Sequence, residues 1–268
     1  MFIIYFSINK IFEQERGKRK KGKGKRKIVG CVLRTAKTNA LAKPFNRSTV
    51  RPFNQKMTDN YIELIKSFTK DDYENNVNLH IHSTFSDGGV NVNELVEQAK
   101  KKGLKYIAIC DHNTLNAYLQ TDLLKEEIVI PAIEFDCWFG TVFLHMLGYG
   151  VDVNNKDLQK LCAKTKRGTE ADWVRIFSFK HPRTVINAIH NAGGIAVLAH
   201  PACCFTPTGL DRLVKNLVKL GLDGIEVYYP YTRHRRIVKF HSVHAVEKIG
   251  KKYNLIMTGG TDEHGSLE

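Results

Sequence analysis

From residue 78 to residue 259 the chain alternates short apolar runs with longer amphipathic stretches. Runs rich in β-branched and aromatic residues predict strands near 78–82, 106–110, 128–134, 142–149, 195–199, 224–229 and 255–259. Between most of them the apolar period changes to that of a helix. Residues 93–102 place Leu95, Val96 and Ala99 on one face and stop at Gly103, and 184–194, 211–221 and 237–247 read the same way. Strands alternating with helices predict an α/β fold on a parallel sheet, with functional side chains at the carboxyl ends of the strands.

Charge divides the chain in two. The whole is +14 with 41 Lys and Arg, but residues 1–56 carry 16 of these against 2 acids, whereas 57–268 carry 25 against 25. The run 15–27 (ERGKRKKGKGKRK) repels itself and is broken by glycine, so it reads as a disordered extension. Two other readings stand beside this one: an arm that holds phosphate backbones, and a translation start at Met57. The first nine residues are apolar but precede their positive charges and lack a small-residue cleavage site, the wrong order for a secretory signal. No stretch reaches the ~20 apolar residues of a membrane span. The expectation is one domain at 57–268 in the cytoplasm. The six cysteines form no CxxC pair, which agrees.

The chemistry sits where apolar runs end. In 78–89 (NLHIHSTFSDGG), His80 and His82 point the same way from an extended strand, about 7 Å apart along it, and Asp87 follows in a turn. The second run ends in Asp111 and His112, the third holds Glu134 and the fourth His145. Later runs bring His200 and then Asp262 and His264 among glycines. Imidazole nitrogens and carboxylate oxygens are ligands for Zn, Mn or Fe, and nine such residues imply two to three divalent ions. Asp111 is assigned to support of the metal, from behind the ligands or in the reaction itself. Arg233, His234, Arg235 and Arg236, in the loop after the sixth strand, are the candidate phosphate clamp, with Arg167 and Arg183 weaker. The alternative for 233–236 is the basic start of the next helix. There is no G-x-S-x-G, Walker loop or dinucleotide fingerprint.

His-x-His followed by Ser-Asp-Gly, then Asp-His, Glu, His, Ala-His-Pro and Asp-x-His-Gly resembles the motif series of the polymerase and histidinol phosphatase (PHP) domains over about 77–265. It looks most like their stand-alone metal-dependent phosphoesterases. The resemblance implies a distorted, TIM-like (βα)7 barrel. It also implies three metal positions: His80, His82, Glu134 and Asp262; Asp87, His112 and His264; and Glu134, His145 and His200. Thr261 departs from the family's usual serine. The chain stops three residues after Gly265, so a closing segment is expected to be missing. The expected reaction is hydrolysis of a phosphomonoester or of a nucleotide or oligonucleotide phosphate by a metal-activated hydroxide. The substrate would be a small phosphorylated molecule or short nucleic acid, with no membrane partner. The rival reading is a nucleic-acid-binding or polymerase-associated module with a structural or proofreading metal site.

Overall fold

The chain is represented by a computed structural model, which describes residues 55–229 and 240–267. The basic run 15–27, Cys31 and the candidate clamp Arg233, His234, Arg235 and Arg236 lie outside the described residues.

Seven strands follow in order: β1 (Val77–Ile81), β2 (Tyr106–Ile109), β3 (Ala132–Phe139), β4 (Val142–Tyr149), β5 (Ile195–Leu198), β6 (Gly224–Tyr228) and β7 (Ile256–Gly259). Helices punctuate them with the expected chemistry. Val92–Lys101 starts where the Asn91 side chain accepts from the Glu94 N–H, buries Val92, Leu95, Val96 and Ala99, and ends in Lys100 and Lys101, which suit its negative carboxyl end. Pro182–Asn191 begins with proline, whose missing N–H costs nothing there, and buries Val185, Ile186, Ala188 and Ile189. The final helix, Val243–Lys252, starts later than the sequence pattern suggested because Ser242 caps it at the Ala245 N–H.

The expected parallel (βα)7 barrel needs correction. The ladders form a two-stranded parallel sheet, β1–β2, and a five-stranded mixed sheet in the order β3–β4–β5–β6–β7. Among the described residues isolated parallel bridges, Ile107 to Val129, His112 to Glu134 and Ile81 to Glu263, take the place of further ladders, and the ladders described do not close a barrel. Within the larger sheet β4 is antiparallel to both neighbours. The cause is local: β3 runs on to Phe139, and the two residues before β4, Gly140 (φ 62°) and Thr141, are too few for a crossover and suffice for a hairpin.

Side-chain alternation explains how the fold positions a polar site. Ile133, Phe135 and Cys137 of β3 join the apolar layer shared with the helices, while Ala132, Glu134 and Asp136 share the other face. On that face Ala132, Leu147, Tyr149, Ala108, Cys110, Val197 and Ala199 form a second apolar cluster. Continuing along the strands past this cluster, the same face turns ionisable: Cys110 is followed at period two by His112, Ala132 by Glu134, and Leu147 is preceded by His145. Because β4 is reversed, it delivers His145 from its amino-terminal half. In β1 a register irregularity between Asn78 and Ile81 re-aims the strand so that His80 and His82 turn to the site after Leu79 has joined the core.

Candidate metal centre

All nine residues singled out as ligands meet at one end of the sheets. His80 Nε2 lies 3.2 Å from Glu134 Oε2 and 3.3 Å from Asp262 Oδ1, and His82 Nε2 lies 3.2 and 3.0 Å from the same oxygens. His80, His82 and Glu134 are fully buried. A second set gathers around Asp87, whose Oδ1 is 3.3 Å from His264 Nε2 and 3.7 Å from His82 Nδ1, with Oδ2 3.7 Å from His112 Nε2. A third surrounds Glu134 Oε1, which is 3.0 Å from His145 Nδ1 and 3.4 Å from His200 Nε2. Ligand atoms within 4.8 Å of one another form three groups: His80, His82, Glu134 and Asp262; His82, Asp87, His112 and His264; and His112, Glu134 and His145.

The donors fit divalent ions better than they fit each other. His82 Nδ1, His112 Nδ1 and Glu134 Oε1 are buried and make no hydrogen bond. His112 Nδ1 does lie 3.2 Å from Glu134 Oε2, but not at a hydrogen-bond angle. His80 Nε2 and His82 Nε2 also face each other at 3.2 Å. Buried polar atoms are normally paired, so such a concentration of unpaired, converging lone pairs is the pattern of ion ligands.

The electrostatics run the same way. Burial alone would lower the His80 pKa, but the carboxylates of Glu226, Glu134 and Asp262 outweigh it and hold that pKa well above the usual histidine value. For His82, burial is likewise overcome by hydrogen bonding to Asp262 and Glu134, and its pKa rises to about 9. Burial would raise Glu134 and Asp262, yet the surrounding imidazoles keep both ionised far below the ordinary carboxylate range. His112 goes the other way: burial, with the Arg175 charge beside it, keeps the ring neutral.

Backbone strain collects here as well. Among the described residues four non-glycine positions have positive φ, and three of them, Asn113 (54°), His200 (25°) and Asp262 (50°), belong to the site. Gly260 packs directly on the His80 backbone, where a Cβ would clash, so the segment carrying Asp262 can approach β1 only without a side chain there. Thr261 keeps a hydroxyl that accepts from Asn78 Nδ2 at 2.7 Å, while its N–H donates to Asn78 Oδ1.

Asp111 uses its whole carboxylate on the loop after β1. Oδ1 accepts from the Ser83 N–H at 2.8 Å and from Ser86 Oγ at 2.7 Å, and Oδ2 accepts from Ser83 Oγ at 2.7 Å. It therefore anchors the turn that carries Asp87. Arg167 and Arg183 are exposed.

Three residues at the site escaped the sequence reading. Glu226 is fully buried, lies 3.0 Å from His80 Nδ1 and accepts from the His200 N–H at 2.7 Å, thereby orienting two of the candidate ligand histidines. A lone acid inside the apolar strand β6 was its signal. Asp136 is fully buried, 3.2 Å from His145 Nε2 and bonded to Asn113; the period-two step from Glu134 along β3 would have found it. Arg175, in the short helix Asp172–Arg175 between β4 and β5, is 4% exposed and reaches Asp87, Asp136 and His112. No local pattern marked it.

A comparison with protein families decides the lineage: the profile of the PHP domain matches residues 78–247. The chain belongs to the PHP domain family. Among curated relatives, a phosphoribosyl 1,2-cyclic phosphate 1,2-diphosphodiesterase of Eggerthella lenta is 26% identical over 70% of this chain and 94% of its own. A 5'-3' exoribonuclease of Haemophilus influenzae is 27% identical over 44% of each chain. A solved structure described as a metal-dependent phosphoesterase from Bifidobacterium adolescentis superposes with a TM-score of 0.55 at 22% identity, over 72% of this chain and 89% of that one. That likeness shows the shared PHP mixed α/β fold. No helix among the described residues is long and apolar enough to cross a membrane.

Proposed function

We propose that this PHP domain is a metal-dependent hydrolase of phosphate esters. The observation that carries the reading is the convergence at one end of the sheets of eight His, Asp and Glu side chains in three groups, with His200 3.4 Å from Glu134 beside them and with buried unpaired donor atoms among them. His80, His82, Glu134 and Asp262 would hold one ion, and Asp87, His112 and His264, with His82 alongside, a second. Glu134, His145 and His200 would hold a third, with His112 close to it. Divalent ions there would polarise the phosphate and acidify the attacking water.

The chain's own groups supply the rest. Glu134 spans the first and third groups with its two oxygens, which fixes their separation. Glu226 and Asp136 hold the far sides of His80 and His145, so each imidazole presents one nitrogen inward. Asp111 holds the Asp87 turn against β1. Arg175 is the buried guanidinium nearest the site and suits a phosphate oxygen better than the exposed Arg167 and Arg183. The 233–236 clamp, outside the described residues, remains part of the proposal on its sequence alone, as a second source of positive charge.

The Eggerthella and Haemophilus relatives are named for phosphodiester cleavage, which favours a small cyclic or nucleotide phosphodiester over a simple monoester as substrate. The test is to purify the full chain, count bound Zn, Mn and Fe, and assay cyclic ribose phosphates, nucleotides, short oligonucleotides and histidinol phosphate, with His82→Ala as control. Ester cleavage that requires metal and is lost in His82→Ala supports the proposal. A folded protein that binds no ion and cleaves none of these after metal is supplied would sink it.

A further inference from the structure

We propose that Arg175 is a built-in occupant of the second metal position, and that a divalent ion binds there by displacing its guanidinium. This rests on the metal-binding part of the reading above, though not on any particular substrate.

The geometry is that of a cation in a ligand set. Arg175 Nη1 donates to Asp87 Oδ2 at 2.6 Å and Nη2 to His112 Nε2 at 2.7 Å, while Nε donates to Asp136 Oδ2 at 3.3 Å. Asp87 and His112 are two of the four residues of the second group. Arginine has no acceptor atom, so its contact with His112 requires the ring's lone pair on Nε2, the nitrogen that faces Asp87. A nitrogen lone pair serves one partner. An ion taking His112 Nε2 must therefore evict Arg175 Nη2, and a divalent charge beside a guanidinium that is 4% exposed would be repelled at low dielectric. Among the described residues no such cation enters the first group, where His80 Nε2 and His82 Nε2 face Glu134, Asp262 and each other.

Arg175 is also placed to move. It ends a four-residue helix, Asp172–Arg175, which carries the exposed Trp173 and is followed by the exposed Phe177 and Phe179. The next residue's carbonyl, Ile176 O, accepts from the Trp138 indole at 2.7 Å. The chain has two tryptophans, Trp138 and Trp173, and both report on this segment. Ions should therefore load in order, the unobstructed group first and the Asp87 group last. Completion of the site then coincides with release of a guanidinium toward its mouth.

The experiment titrates metal-free full-length protein with Mn²⁺ while bound ions are counted and tryptophan emission is followed, with no substrate present. The expected result is emission that stays constant for the first ion and changes with the last. In Arg175→Met the last ion should bind about tenfold more tightly, close to the size of one lost charge-assisted hydrogen bond, without the emission change. Arg175→Lys, which keeps a cation, should fall between. Full loading with silent emission, or unchanged or weaker binding of the last ion in Arg175→Met, overturns the exchange while leaving the metal site standing. If Arg175→Met does not fold, the wild-type emission against ion count decides alone. Failure of the wild type to bind any ion overturns both proposals.

Discussion

The first and second ligand groups share His82 but live in different surroundings. His80, His82 and Glu134 have no exposed surface and Asp262 has little, whereas the second group holds Asp87 and a His264 side chain that is 38% exposed. In the first, two of the four side chains are gripped from behind, His80 by Glu226 and Asp262 by the Tyr229 hydroxyl. In the second, the ligands are rings stacked on one another, His82 on His264 at 4.2 Å and on His112 at 4.4 Å, with Arg175 drawn in to balance Asp87. A buried, partly braced group is expected to hold an ion more tightly, because less must be reorganised. An exposed one can exchange its cation and meet substrate.

Glu134→Gln should break the comparison altogether, because one carboxylate serves two groups. Bound metal should fall by more than one ion, and kcat/KM should drop by about three orders of magnitude, roughly 4 kcal/mol of transition-state stabilisation. His264→Ala should separate the groups instead. It removes a ligand from the exposed group alone, so the first ion should stay while the last is lost, with activity down on the order of 10- to 100-fold. Equal loss of all ions would show that the groups do not load independently.

Asp111→Asn tests the anchor of the Asp87 turn without touching a ligand. Three hydrogen bonds to Ser83 and Ser86 are weakened, so denaturant unfolding should show a loss of about 1–3 kcal/mol. Metal content in the first group should not change. The smallest effect is on pH. The metal-free fold holds the His82 proton up to about 9, against the ordinary histidine value of 6.5. Between those values the folded state binds more protons than the unfolded one, so stability falls as pH rises through that window. Thermal melts of metal-free protein should therefore decline from near pH 6.5 towards 9. Metal-loaded protein, in which an ion replaces the proton, should not show this decline, and binding at neutral pH should release protons measurable in weak buffer. A flat metal-free profile would remove His82 from that role.

The legible parts of the molecule were those written in local sequence. Alternation marked seven strands, and His80, His82, Asp87, His112, Glu134, His145, His200, Asp262 and His264 stood at or just past the ends of apolar runs, so their convergence followed from the tendency of strand ends to share one edge of a sheet. Strand direction was not legible. Residues 128–134 looked like the whole third strand, and the pairing of Asp136 through Phe139 with Val142 through His145 revealed a hairpin that reverses β4. Arg175 was equally hidden, since an arginine in an irregular 163–181 insert carries no period and acquires its partners only when that insert folds over β3. The order of residues along the chain determines which side chains a strand presents and at which end. Which distant charge comes to rest among those side chains depends on contacts between residues 39 to 88 positions apart, where chain closure and packing, rather than local propensity, set the energy.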